Sequence, residues 1–470
     1  MTLYDKFRNS SLEISPLGIT CGAPRSRLQH TPANAQIIAW STTQSNLHFC
    51  QIPELGDLIF AVDPSAPPGE SIRPVAEDLR SFIGLICYCG NTDLLVNAHQ
   101  WSRFYFEHKR SRQELSTKAI RVRTALLNTY RPQPISDPHS YILKLQSSFD
   151  YSKIPLHPSF TKSNSLRPGA FQWNVSFDAD FYDISSEQTE IKKLPVNKQS
   201  QSNGWYVPGI YLCDKGLVVD SYKKVSAETI RTYLTNWANK PDHLLSAEEK
   251  IRKSNEYPLT FPAKSQLIIN NKSVASRNSY EAIWNPYTDN PWNVRKTLEY
   301  YGLDKNDGYL FRRDCFPYKR HQNTIRTVEL VLSPELISVP GDRFFAPDAG
   351  KNVTFIHPQT NIQHILTVTS QTSEALDPNF LSNYPCFYWS LLYTLTPPIH
   401  SDLFRVVDSS PGDHWEGDID GAAALCSPRK LPANVHCAIS PLRYEPVQEI
   451  RWQMIFKQKP CQDIQMQLIP

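Results

Sequence analysis

Two stretches gather side chains whose types and spacing can do chemistry. In "PGDHWEGDID", Asp413, His414, Glu416, Asp418 and Asp420 crowd oxygen and nitrogen donors into a glycine-bearing loop. Hard divalent cations take such donors, and Asp413, Glu416, Asp418 and Asp420 are the expected metal ligands. The competing reading is a solvated acidic loop. In "FRRDCFPYKRHQNTIR", cationic and aromatic residues interleave. Such a stretch grips an acidic protein surface or holds phosphates while stacking bases. The expected binding patch is Arg312, Arg313, Phe316, Tyr318, Lys319, Arg320 and Arg326, with His321 beside it; the alternative is an edge strand whose charges block aggregation.

Other chemistry-bearing patterns fail on inspection. "GDRFFAPDAGKN" has Gly350-Lys351, but Asn352 replaces the magnesium-binding hydroxyl and Phe345 stands where the first loop glycine belongs, so it reads as a turn. In "DKNDGYLFRRDC" the glycine comes one position early for a calcium loop, and Cys315 occupies the place of the bidentate Glu. His436-Cys437 with Cys426 offers soft donors, yet adjacent strand residues point to opposite faces. His357 and His364 read as flanks of a hairpin. No nucleophile elbow, zinc-protease helix, paired Cys motif or dinucleotide glycine pattern occurs, and no cofactor is expected.

The elements that must position these groups belong to a large folded chain. Its 470 residues suggest two to four domains, and a 40% hydrophobic, aromatic-rich composition argues against global disorder. A formal charge of +3 sets up no field from which to expect nucleic acid or an anionic membrane as partner. No apolar N-terminal core and no run of about eighteen apolar residues is present, so a cytoplasmic location is expected. The ten cysteines are scattered, several in apolar runs, and read as small buried hydrophobes of a reducing compartment.

"GDLIFAV" has the pattern of a buried strand, which "DPSAPPG" ends. Val75, Leu79, Phe82, Ile83 and Ile86 then fall on one helical face, predicting a helix capped by Ser71, with Pro74 in its first turn and Gly90 as its stop. "QELSTKAIRVRTALLNTY" predicts a second helix burying Leu115, Ala119, Val122 and Leu126, and "RPQPISDPHS" reads as a linker. Asp214-Lys215-Gly216 signals a hairpin, followed by a helix with Ser226 as cap and Ile230, Tyr233, Leu234 and Trp237 on one face. From about Leu259 short alternating runs predict a sandwich or barrel, interrupted by the helical "NPWNVRKTLEYYGLD". The fold class is α+β: an α+β region at 1–130, a mixed region at 131–255 and a β-rich, sandwich-like domain at 256–470.

The stretch "GDLIFAVD" followed by "VAEDLRSFIGLI" resembles the SUKH superfamily, with Gly56, Asp57, Phe60 and Asp63 on the strand side and Ser81, Phe82 and Leu85 on the helix side. SUKH-like domains include immunity proteins that neutralise toxins, so the resemblance implies a binding module. As a whole, including "YLCDKGLVVDSYKKVS" and "LRYEPVQEIRWQMIF", the chain also looks similar to bacterial proteins of no assigned function. The leading expectation is a non-catalytic, cytoplasmic, protein-binding protein, immunity-like in role. The alternative is a metal-dependent hydrolase with its site at a domain interface.

Overall fold

The computed structural model describes residues 3–10, 12–21, 31–67, 69–155, 173, 175–181, 192–197, 201–238, 240–242, 245–319, 325–376, 385–410, 431–432 and 434–470. Helix accounts for 26% and strand for 36% in several antiparallel sheets, which is the expected α+β class. The chain forms two compact units, one of Met1–Ala227, Ile269–Val328 and Gln467–Pro470, the other of Glu228–Ile268 and Glu329–Met466. The three regions expected from composition are contiguous in sequence, whereas these units are not.

The first unit opens with a meander of five antiparallel strands, Ile19–Thr20, Gln36–Ser41, His48–Gln51, Ile59–Val62 and Ile72–Ala76, in sequential order. Side chains alternate across a strand. Ile59 and Ala61 accordingly face a helical layer through Phe82, Ile83, Ile86, Val122 and Leu126. Phe60 and Val62 enter a smaller core with Cys50, Ile52, Ile72 and Ile154. The helix expected from Ser71 starts later: Ile72–Ala76 is a strand paired with Ile59–Val62, and the helix runs Leu79–Cys89 with Asp78 accepting from the Ser81 amide. The cause is Pro74, which biases Arg73 away from helical geometry and suits an edge strand. Gly90 ends the helix in the left-handed conformation, as expected.

The second helix forms at Thr117–Tyr130, capped by Ser116, and buries Ala119, Val122, Leu126 and Tyr130. Part of the expected linker is instead helix Pro138–Ser148, because Asp137 caps it and Pro138 sits where a missing N–H costs nothing. Helices Thr92–Asn97 and Arg103–Ser111, which the sequence reading did not separate, are capped by Asn91 and Ser102.

A second sheet of this unit orders Asn278–Trp284, Gly308–Pro317, Gly216–Val225, Trp205–Cys213 and Lys192–Leu194 side by side. Asp214 and Lys215 form the two-residue hairpin loop between paired Cys213 and Gly216. A Cβ at Gly216 would overlap the Phe316 carbonyl oxygen, so close strand approach requires glycine there. Helix Trp292–Tyr300 packs Val294 and Leu298 against Trp284, Tyr309 and Phe311, and Gly302 follows it with positive φ.

In the second unit, Ile337–Phe345, Arg451–Gln458 and Phe404–Asp408 form one sheet, and Asn352–Ile356, Gln363–Ala375, Phe387–Thr396 and His436–Ile439 another. Phe404, Trp452, Met454 and Phe456 from the first share one core with Phe355, Leu366, Val368, Leu391 and Tyr393 from the second. This is the sandwich-like, β-rich architecture read from the alternating runs. His357 and His364 flank the hairpin between Asn352–Ile356 and Gln363–Ala375. Among the described residues no helix is long and apolar enough to cross a membrane.

Candidate functional site

The expected binding patch divides at the end of strand Gly308–Pro317. This strand is not the edge strand weighed as its alternative: it pairs with Asn278–Trp284 on one side and Gly216–Val225 on the other, and its first nine residues are buried. Arg312 and Arg313 therefore project to opposite sides of a covered sheet rather than into solvent. Burial of a guanidinium demands acceptors, and both have them.

Arg313 lies directly across from Asp220 in the strand register. Its Nε and Nη2 donate to the two carboxylate oxygens at 2.7 and 2.8 Å, a side-on fork. The guanidinium also stands over the rings of Phe181 and Trp173, 4.6 and 5.3 Å from their centroids. The Tyr301 hydroxyl donates to Asp220 at 2.7 Å and lies 2.9 Å from the Tyr211 hydroxyl. Burial alone would lower the Arg313 pKa, but the Asp220 carboxylate outweighs it and holds the group above its usual range. On the other side, Arg312 Nε donates to Asp314 at 3.0–3.1 Å and Nη1 to Glu281 at 3.0 Å. Phe316 is fully buried. These three members of the patch are interior groups, a correction to reading them as contact residues.

Beyond Pro317 the chain emerges. Tyr318 is half-buried, Lys319 and Arg326 are exposed, and Arg320 and His321 lie outside the described residues. The Tyr318 amide donates to the Lys215 carbonyl, and the Arg277 amide to the Cys315 carbonyl, which brings exposed Lys215, Arg277 and Lys319 to one end of the sheet. The Arg326 amide donates to Asn270 Oδ1, beside exposed Lys272. Exposed Asp214 and half-buried Asp178, 3.7 Å from Arg277, are the acidic groups placed nearby.

The expected metal ligands Asp413, Glu416, Asp418 and Asp420 lie outside the described residues, as do His414 and Cys426. Among the described residues no group of three His, Cys, Asp or Glu side chains is placed to hold a metal ion. The buried cysteines rest as neutral thiols: burial pushes Cys50 and Cys89 up to about 12 and Cys87, Cys213 and Cys315 to about 11.

A second charge cluster, buried at Glu70, His99 and Arg295, escaped the sequence reading. Glu70 Oε2 meets His99 Nε2 at 3.1 Å and Arg295 Nη2 at 2.6 Å, while Oε1 takes Lys296 at 2.6 Å. Glu299 takes Arg295, Lys296 and Lys305 at 2.9–3.2 Å, and Lys305 also donates to the His99 carbonyl at 2.9 Å. Burial raises the Glu299 pKa, but the charges of Lys305, Arg295 and Lys296 outweigh it and bring it to about 2. Both ring nitrogens of His99 face acceptors, Glu70 and the Val96 carbonyl, an arrangement that suits imidazolium. Burial and the Arg73 and Arg295 charges prevail nonetheless and hold the ring well below 6.5. The signal available in sequence was faint: Glu70 sits in a Pro-rich connector, and Arg295 stands on a helical face between Val294 and Leu298. Compared with protein-family models, curated proteins and solved structures, the chain returns no match.

Proposed function

We propose that the chain is a non-catalytic protein-binding protein that takes an acidic protein surface on the basic end of its second sheet. The observation that carries this reading is the convergence of exposed Lys215, Arg277 and Lys319 around the end of strand Gly308–Pro317. The strands beneath are cross-braced by the Arg313–Asp220 and Arg312–Glu281 pairs, so the cations are presented on backbone that is already ordered and little entropy remains to be lost on binding. Arg312 and Arg313 thus act as scaffold, and the recognition is left to their exposed neighbours. The resemblance of residues 56–85 to SUKH domains points the same way, toward an immunity-like role. A reducing cytoplasm suits the nine described cysteines, all free thiols.

The test is salt-dependent affinity capture with the tagged chain, run beside the triple variant Lys215→Glu, Arg277→Glu, Lys319→Glu. Opposed charges on a rim chiefly slow association and lower salt sensitivity. Capture of one protein that weakens as salt rises and is lost in the triple variant is the expected result. Equal capture by both forms removes the surface from the reading, and retention that nuclease abolishes replaces the protein partner with nucleic acid.

A further inference from the structure

Arg73 lies on the edge strand of the first sheet and Ser71 just before that strand begins, 3% and 5% exposed. Arg73 Nη1 donates to the Glu70 carbonyl, but its Nε and Nη2, and Ser71 Oγ, have no hydrogen-bond partner among the described residues. Nε–H and Nη2–H form the parallel edge of a guanidinium, the edge that matches two oxygens on one centre. At Arg313 the same two atoms receive both oxygens of Asp220. Buried donors of this kind are ordinarily satisfied, so the bare fork asks for an acceptor.

The neighbouring carboxylates hold other donors. Glu70 gives Oε2 to His99 and Arg295 and Oε1 to Lys296. Asp63 Oδ1 accepts the Ser65 amide and hydroxyl at 2.9 and 2.7 Å. Around the cluster four cations, Arg73, Arg295, Lys296 and Lys305, answer three carboxylates, Glu70, Glu299 and Asp63. Lys296 and Lys305 are half-buried and Glu299 is exposed, whereas Arg73 and Arg295 are buried together with Glu70 and Asp63.

We propose that the Nε/Nη2 edge of Arg73, together with the Ser71 hydroxyl, binds a small oxyanion, a carboxylate or a phosphate. The bound group supplies the two acceptor oxygens that Asp220 supplies to Arg313. The state of the bare arginine agrees: burial, joined by the Arg295 charge, brings its pKa down to about 10 against the pull of Glu70 and Asp63. Half-buried Tyr151 is close enough for its phenol to feel both Arg73 and Glu70.

The site is tested on the full chain by titrating sodium acetate and, separately, inorganic phosphate at an ionic strength held constant with sodium chloride, with the unfolding midpoint read after long equilibration. Ion chromatography of the denatured preparation reads any oxyanion carried through purification. A saturable rise with acetate, with phosphate or with both, or one oxyanion released per chain, supports the site, and the ion that acts names its class. Ser71→Ala should raise the half-saturating concentration about tenfold, and Arg73→Lys, which keeps the charge without the fork, should abolish the rise. If Arg73→Lys does not fold, Ser71→Ala decides. A midpoint that follows only sodium chloride in a preparation carrying no oxyanion overturns the proposal, as does a saturable rise unchanged in the variants.

Discussion

Arg313 and Arg73 are both almost wholly buried in the first unit, and they differ in what meets the same edge of the guanidinium. Arg313 has the two oxygens of Asp220, two aromatic faces and a pKa above its usual range. Arg73 has one backbone acceptor, two bare nitrogens and a pKa lowered to about 10. Burial is common to both, so burial does not set the state of the charge. The partner does.

The comparison breaks most visibly if Asp220 is removed. Asp220→Ala leaves Arg313 charged and unanswered in the sheet, with an expected loss of about 3–5 kcal/mol in urea unfolding. Replacing the pair together, Asp220→Leu with Arg313→Met, should lose far less, because no charge is then stranded. A loss below about 1 kcal/mol in Asp220→Ala would erase the distinction between the two arginines.

A pH series sharpens the other half. Burial and the charges of Arg73 and Arg295 hold folded His99 neutral well below 6.5, the value at which the ring titrates once unfolded. Below that pH the unfolded state therefore binds more protons than the folded state, so this contribution to stability is complete above 6.5 and declines as pH falls. Midpoints measured downward from neutral pH should drop, and His99→Gln should flatten part of that slope. An unchanged slope would mean that His99 does not feel its two guanidinium neighbours.

The smallest effect is expected at Arg73 itself. In buffer free of oxyanions, Arg73→Met gives up one hydrogen bond to a carbonyl and removes a poorly satisfied buried charge, so stability should stay within about 1 kcal/mol of the parent chain. Arg313→Met, which strands Asp220, should cost several times more. Equal losses would show that Arg73 is as well served by its surroundings as Arg313.

Much of the fold was legible because it rests on short-range patterns. Ala119, Val122 and Leu126 repeat with the helical period, Asp214-Lys215 spells a two-residue hairpin, and the alternating runs after Leu259 became strands. The errors were local conflicts. In "GESIRPVAEDL" the apolar residues fit a helical face, but at Ile72–Ala76 proline and cross-strand pairing with Ile59–Val62 won. The candidate site was legible only in part: cations and aromatics were visible as a run, yet nothing in the run distinguished Arg313, which is buried, from Lys319, which is exposed.

The sequence by itself determined the α+β class, the helix stop at Gly90, the Asp214-Lys215 hairpin and the apolar setting of most cysteines, since each depends on residues within a turn or a strand of one another. Tertiary structure alone decided which charges lie inside and which face solvent. Asp220 reaches Arg313 across 93 positions, and Glu70 reaches Arg295 across 225. A buried charge is tolerated only where such a distant partner arrives, and that arrival belongs to the packing of sheets and helices, not to any local stretch of residues.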